Sequence, residues 1–408
     1  MEKNRKSEAQ QNTKIRMLVS EEEENRFRKE KEKRHGMENR SRILVWMGIC
    51  AVVVYCLAVI LPSNLFAGTR ILTLSECLGQ IRINISGIFL ALGGNGYLST
   101  QYTLFRYIAV ALVGAALSVC GAVYQGAFKN ALASPTTLGV QSGGVLGGTI
   151  YVMFFASFST ETTTAAQVHQ ELENMNIFER NAQSMAILIG CFAGVTAIVA
   201  ISRIVGRGKI SSIALILCGS VFGSFITGGV ELMQYYLLLH DPYGDRTYAL
   251  RFLMLGTFDR VISLEDLMLV AIPVLLAITA VMLMRSRLNL LVFGEDEARS
   301  MGIRVELTRN LMVGIVTFLT AIVISFCGQI GFVGFIIPHL ARRFVGPDFR
   351  YLVPGSALLG AVCMMTVYYI ATVIGYSSNI NFVTSLVGGT IFLIMIIRFR
   401  NKRYADWA

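Results

Sequence analysis

The side chains that could do chemistry in this chain are few and far apart. Only one histidine, His339, lies within an apolar segment, where a histidine can ligate a metal ion or relay protons. No second ligand and no carboxylate stands at a useful spacing from it, so we expect a structural role after Pro338. The chain also has no G-x-x-x-x-G-K-[ST] phosphate loop, no HExxH motif and no GxGxxG motif. We therefore expect a protein that is not an enzyme, and any ATP hydrolysis must take place on a separate chain.

The cysteines indicate neither a disulfide framework nor a metal site. Cys77 alone falls in a loop; the others lie inside apolar runs or at their ends, and no two have the CxxC spacing. We expect small core side chains, with no resident metal and no cofactor. The eight are Cys50, Cys56, Cys77, Cys120, Cys191, Cys218, Cys327 and Cys363.

A charged loop, residues 294–302, stands between two apolar segments. It contains Glu295, Glu297 and Arg299 but no apolar stripe from which a core could form. One interpretation is a solvated loop closed by i,i+4 ion pairs. The other, which we favour, is a surface that binds a cytoplasmic partner of a membrane protein.

Hydropathy shows which elements must position these residues. The chain is 54% hydrophobic and 15% charged, with a mean hydropathy of +0.58. Its apolar runs are about 20 residues long, enough to cross roughly 30 Å of hydrocarbon. This pattern predicts an all-α polytopic membrane protein with about ten transmembrane helices, of which the eighth is short. The predicted spans are 43–61, 105–128, 137–158, 184–204, 212–230, 266–284, 310–327, 330–341, 352–373 and 382–397.

The net charge of +10 would suggest a nucleic-acid partner if its placement were ignored. With both termini inside, most lysines and arginines fall in inner segments and no lysine falls outside, as the positive-inside rule requires. The organisation expected is a charged cytoplasmic tail (1–42, disordered or a solvated helix), a transmembrane domain (43–400) and a cytoplasmic tail (401–408). The outer segment 239–265 is expected to hold a short helix at the surface.

The inner loop between the second and third spans is rich in turn-forming residues. Pro135 forbids a continuous helix, and Asn130 and Ser134 can form turns or cap a helix. Glycines then recur every four residues, a spacing that lets another helix approach closely, so packing is their expected role. These glycines are Gly139, Gly143 and Gly147.

Three stretches, in order, resemble the FecCD-type permeases, the membrane subunits of ABC importers for iron chelates, haem and cobalamin. The inner loop is similar to GAxxQxxxxNPLAxPxxLGxxxGA, with Ala131 in place of the first proline. The charged loop is similar to GEexAxxLG, with Met301 for leucine. Residues 328–343 are similar to GPIGFVGLIVPHIxR, with Gln329 for proline. The resemblance covers about residues 43–400 and implies the type II ABC importer permease fold.

The resemblance also implies roles on the inner face. In this family the charged loop forms short coupling helices that sit in a cleft of the ATPase subunit, and the inner loop helps to close the cytoplasmic end of the pathway. The implied coupling residues are Gly294, Glu295, Glu297, Ala298, Arg299 and Gly302. The implied inner-gate residues are Gln125, Asn130, Leu132, Pro135, Gly139 and Gly143.

On the outer face, family members use arginines to bind acidic residues on the two lobes of a substrate-binding protein. Arg106 ends an LFR triplet where the family has LPR. A guanidinium can contact a carboxylate through two hydrogen bonds, which suits an orienting contact. An interfacial anchor remains an alternative for Arg106. The family's second arginine is missing, because Ala371 and Thr372 stand there; the substitute candidates are Arg82, Arg246 and Arg251.

The function expected is the permease subunit of a binding-protein-dependent ABC importer in the cell membrane, with an iron–siderophore chelate as cargo. Expected partners are ATPase subunits inside, a binding protein outside and a second permease, but no nucleic acid. An ion- or proton-coupled secondary transporter is an alternative, weakened because the spans lack carboxylates as titratable relays. A polytopic scaffold without transport, and haem or cobalamin as the cargo, also remain open.

Overall fold

The computed structural model describes residues 36–59, 66–67, 70–71, 98–155, 177–206, 212–240, 245–259 and 264–399. These ranges contain helices, the connections between them, and two two-residue strands, β1 (Phe66–Ala67) and β2 (Arg70–Ile71), which pair antiparallel. The helices are α1 (Gly36–Val59), α2 (Leu98–Ala127), α3 (Val140–Phe154), α4 (Ile177–Val205), α5 (Ser212–His240), α6 (Asp245–Leu255), α7 (Leu264–Leu283), α8 (Arg285–Phe293), α9 (Glu295–Ser300), α10 (Val305–Cys327), α11 (Val333–Val345), α12 (Phe349–Val373) and α13 (Ile380–Phe399).

The predicted all-α membrane architecture is confirmed. Among the described helices, α1, α2, α4, α7, α10 and α12 are long and apolar enough to cross a membrane. The remaining predicted spans coincide with α3, α5, α11 and α13, of which α3 has 15 residues and α11 only 13. A helix therefore lies at each of the ten predicted positions, and α1 begins at Gly36, inside the segment assigned to the tail.

Helix α2 lies at the centre of the bundle. Within its most apolar window 78% of the residues are buried, against 11% for α1, so α2 is an interior helix and α1 a peripheral one. An apolar surface on all sides of a helix requires such a position. Glycines let its neighbours come close: a methyl group built on Gly121 would lie 1.6 Å from the carbonyl oxygen of Gly334 in α11.

The glycine ridge packs α3 against α4, as predicted. A methyl group on Gly143 would lie 2.3 Å from the carbonyl oxygen of Gly190, and one on Gly147 would lie 2.2 Å from that of Ala186. Gly139 behaves differently, because its φ of +64° places it in a turn before the helix. The third span was predicted to begin at residue 137, but α3 begins at Val140 for this reason.

Helix α5 is longer than the predicted fifth span and runs ten residues past residue 230, to His240. The extension brings Glu231 into the helix with an exposed side chain. Asp266, in the first turn of α7, is buried. The expectation that the spans lack carboxylates is therefore wrong at their ends.

The short helix expected at the outer surface exists as α6, but its expected surface position is wrong. Leu253 is fully buried, and its carbonyl accepts from the N–H of Gln329 at 2.8 Å. The N–H of Thr257 donates to the carbonyl of Cys327 at 2.9 Å. The chain is not helical between α10 and α11, and backbone groups inside a membrane must be paired within the protein. The end of α6 supplies those partners, so it lies inside the bundle.

Candidate functional site

The predicted docking loop is helical, and it forms one unit with the helix before it. We call residues 285–302, which hold α8, α9 and the turn after them, the charged block. A small apolar cluster of Leu291, Ala298 and Val305 joins α8, α9 and α10, with Leu290 and Ile303 packed against it. Ala298 is completely buried, so it anchors α9 instead of facing a partner.

The other side of α9 is charged and open to water. The side chain of Asp296 is 96% exposed and that of Arg299 is 58% exposed, and the two form a loose i,i+3 pair at 3.9 Å. Glu297 is also exposed, and its carboxylate occupies the space that a methyl group on Gly294 would need, 1.5 Å away. Glu295 is the first residue of α9, and its side chain is not among those that the structure describes. The water-facing side of α9 is therefore charged, while Ala298 holds its other side to the bundle.

The turn after α9 depends on glycine. Gly302 has a φ of +79°, in the left-handed region that residues with a Cβ avoid. Its N–H donates to the carbonyl of Arg299 at 2.9 Å, and the N–H of Ile303 donates to that of Ala298 at 3.0 Å. These bonds end α9 and direct the chain into α10.

A hydrogen-bonded contact that the sequence did not suggest holds the charged block to the membrane bundle. Asn289 in α8 donates through Nδ2 to Oδ1 of Asp348 at 2.8 Å and accepts the N–H of Phe349 at 2.9 Å. Asp348 is the N-cap of α12 and also accepts the N–H of Arg350 at 2.9 Å. An aspartate directly before a helical segment is a recognisable cap signal. Nothing in the sequence indicated its pairing with Asn289.

The implied inner-gate residues lie in two places. Gln125 is fully buried between α2 and α11, where it donates to the carbonyl of Phe335 at 3.1 Å and accepts a short hydrogen bond from Arg342. In the loop, Asn130 accepts the N–H of Leu132 at 2.9 Å, which is the turn chemistry expected of it. Leu132 itself is 40% exposed.

Pro135 lies deep in the bundle. It packs on Gly334, where an added methyl group would lie 3.0 Å from the proline ring. Ser134 accepts the N–H of Thr137 at 3.1 Å, so the turn before α3 is capped as the sequence indicated. The loop therefore dips into the packed helices, and its closing of a pathway stays a prediction.

Arg106, predicted to bind a partner, has an acidic partner within this chain. Its Nη1 lies 3.6 Å from Oδ1 of Asp259, and Nη2 lies 3.5 Å from the same residue's carbonyl oxygen. Arg82 falls outside the described residues, and Arg251 is in α6 without a described side chain. At the position of the missing arginine, Thr372 donates to the carbonyl of Tyr368 at 2.8 Å.

Clusters that could hold a metal ion are absent from the part of the chain that is described, where no three histidine, cysteine or acidic residues come together. The described cysteines are all free thiols, and Cys77 is outside that part. His339 is half-buried in α11, three residues before Arg342.

A model of the FecCD transport family matches residues 65–398. The chain belongs to the FecCD transport family. The permease is 27% identical to the probable iron chelatin transport system permease protein of Helicobacter pylori (strain ATCC 700392 / 26695), over 86% of this chain and 98% of that protein. It is 30% identical to the hemin transport system permease protein of Yersinia pestis, over 73% and 82% of the two chains.

The fold of the permease also matches a solved structure. A metal-chelate type ABC transporter in an inward-facing conformation superposes with a TM-score of 0.64, covering 88% of this chain and 99% of that one. At 24% identity this likeness establishes the fold. The all-α membrane fold and the ABC importer permease class are thus both supported for this chain.

Proposed function

We propose that this permease carries a ferric chelate as the translocation subunit of a binding-protein-dependent ABC importer. The structure of the charged block is the observation that supports coupling of this chain to an ATPase. Its inner side is fixed by a buried apolar cluster, and its outer side presents Asp296, Glu297 and Arg299 to water. A surface that transmits force from an ATPase must be firmly anchored to the membrane bundle and must also be soluble. The apolar cluster meets the first requirement and the charged residues meet the second.

The ATPase is a separate chain in this proposal. No phosphate loop occurs in the sequence, so the energy of hydrolysis must enter through a contact surface. Two ATPase subunits engage the charged blocks of two permeases, either two copies of this chain or this chain with a related one. The pathway lies between the permeases, and both termini are cytoplasmic.

The cargo is proposed as a ferric chelate because relatives named for iron chelatin and hemin transport match most of this chain. Deleting the gene should abolish growth under iron limitation when a ferric siderophore is the only iron source. Two matched tests use the same deletion strain. One supplies hemin as the only iron source, and the other supplies cobalamin under conditions in which growth requires cobalamin. If growth were lost on hemin or on cobalamin and stayed normal on the ferric siderophore, the siderophore assignment would be overturned. The assignment as an ABC importer permease would stand.

The orientation is tested independently of the cargo. Cysteines placed singly next to Lys129 and Arg304 should react with a membrane-impermeant maleimide only in inside-out vesicles, because both residues are exposed and lie on inner segments of the proposed topology. A cysteine in the segment 161–179 should react on whole cells. Labelling of the Arg304 site from outside would overturn the coupling role of the charged block.

A further inference from the structure

The charged block is fastened to α12 by an amide that makes two hydrogen bonds at once. Asn289 is half-buried; its Nδ2 donates to the carboxylate of Asp348 and its Oδ1 accepts the N–H of Phe349, at 2.8 and 2.9 Å. A neutral amide can do both because it carries a donor and an acceptor in one plane. The pair of bonds fixes the orientation of α8 relative to α12 as well as their distance.

The remaining contacts of α8 are less directional. Leu288, next to Asn289, is fully buried in the main core. Apolar contacts are short in range and not oriented, so helices joined by them can slide past each other. Paired hydrogen bonds resist sliding, since a shift of about an ångström already carries them out of range.

Helix α12 is suited to carry a displacement away from the charged block. Its 25 residues are about 37 Å long, which is enough to cross the bilayer. It packs along the central helix α2: a methyl group on Gly360 would lie 2.4 Å from the carbonyl oxygen of Gly114, and the rings of Tyr368 and Tyr107 meet edge to face at 5.2 Å. The helix is continuous from Phe349 to Val373, so the first turn, which Asn289 contacts, and the far end belong to one element.

We propose that Asn289 is the positioning residue that passes displacement of the charged block to α12. This inference rests on the proposed function, because it takes the block to be moved by an ATPase. It goes further in naming the residue and the helix through which the movement enters the membrane bundle. A merely structural role would instead be to stabilise the first turn of α12.

The test uses a reciprocal exchange. Asn289→Asp places a second carboxylate beside Asp348 and removes the donor. In the double variant Asn289→Asp/Asp348→Asn, the new amide at 348 donates to the new carboxylate at 289, which still accepts the N–H of Phe349. The double variant therefore restores the hydrogen bond between positions 289 and 348 with donor and acceptor reversed, but the Nδ2 that takes the place of Oδ1 of Asp348 no longer accepts the N–H of Arg350. Asn310→Asp, at an exposed position of α10, is the control for added charge.

The readout is the far end of α12, where Ile374 is 49% exposed. A cysteine replaces Ile374 in a chain whose Cys50, Cys56, Cys77, Cys218 and Cys363 are serines, so that the remaining native thiols are the buried ones. Maleimide labelling is measured on the full transporter without nucleotide and after trapping with ATP and vanadate. We expect the trapped and free labelling rates to differ in the parent and in the control. Asn289→Asp should abolish most of that difference, because the variant loses the donor to Asp348 and places two carboxylates against each other. The double variant should restore part of it, because it regains the hydrogen bond to residue 289 but loses the one from the N–H of Arg350.

ATPase co-purification and insertion are measured in the same samples. An unchanged nucleotide response in Asn289→Asp would overturn the proposal, and so would loss of insertion or of ATPase binding in that variant, since either result gives Asn289 a structural role. A parent transporter that binds no ATPase would instead overturn the proposed function.

Discussion

Arg106 and Asp259 form an ion pair although 153 residues separate them, with Nη1 and Oδ1 3.6 Å apart. The other carboxylate oxygen of Asp259 accepts from Thr257 at 2.6 Å and from Ser378 at 2.9 Å. One carboxylate thus joins α2, the segment after α6 and the segment before α13. A test of whether Arg106 binds a partner protein must therefore distinguish that role from its contact with Asp259.

Arg106→Glu should weaken association with the binding protein and lower uptake in part. Repulsion at a rim contact acts mainly on the association rate and its salt dependence. Association is measured by surface plasmon resonance on detergent-solubilised permease at low and high salt. Asp259→Asn is the matched control, because it removes the internal pair and keeps the arginine. Equal losses of association in the two variants would show that Arg106 acts through its contact with Asp259. Normal association of Arg106→Glu with the binding protein at low salt would exclude Arg106 from docking.

Changing Glu295 and Glu297 together to lysine should impair uptake and ATPase association while the permease still inserts. Exposed ion pairs contribute only about 0–1 kcal/mol to stability, so folding should hardly change. Co-purification of the ATPase and uptake of the ferric chelate are the measurements. Glu38→Lys, an exposed change on α1, is the control for inner-face charge. Normal uptake by the double variant would show that α9 is merely solvated.

Gly302→Ala should destabilise the turn between α9 and α10 by about 1–2 kcal/mol, because alanine is strained at a φ of +79°. The expected result is a lower midpoint of thermal unfolding in detergent and weaker ATPase association. Gly314→Ala is the control, since it lies within α10 with open space around it. Equal stability of the two variants would contradict the proposed dependence on glycine.

Gln125→Leu should destabilise the contact between α2 and α11 by about 1.5–3 kcal/mol, the range for a hydrogen bond to a charged group. The variant removes the acceptor of Arg342 and the donor to the Phe335 carbonyl. Gln125→Glu keeps an acceptor for Arg342 and should be the milder change. Thermal unfolding and membrane abundance are measured for both. A leucine variant as stable as the glutamate variant would show that these hydrogen bonds contribute little.

The sequence by itself was sufficient to place a helix at each of the ten predicted spans. A run of about 20 apolar residues has few stable solutions other than a membrane-spanning helix, so each span is decided locally. Glycine and proline likewise mark their own turns, as Pro135 and Gly302 do. The charged loop, residues 294–302, could be predicted for the same reason, since acidic and basic residues between two spans must lie at a membrane surface, whereas the helix before it, α8, was not predicted.

Only the tertiary structure decided what those helices bring together. Asn289 meets Asp348 across 59 residues, Gln125 meets Arg342 across 217, and both contacts depend on how whole helices are arranged. The depth of α6 was missed because its partners are backbone groups at the end of α10, which no side-chain pattern reveals. The physical reason is that hydrophobicity acts through local composition, whereas a hydrogen bond needs two groups within about 3 Å, and the packing of distant helices sets that distance.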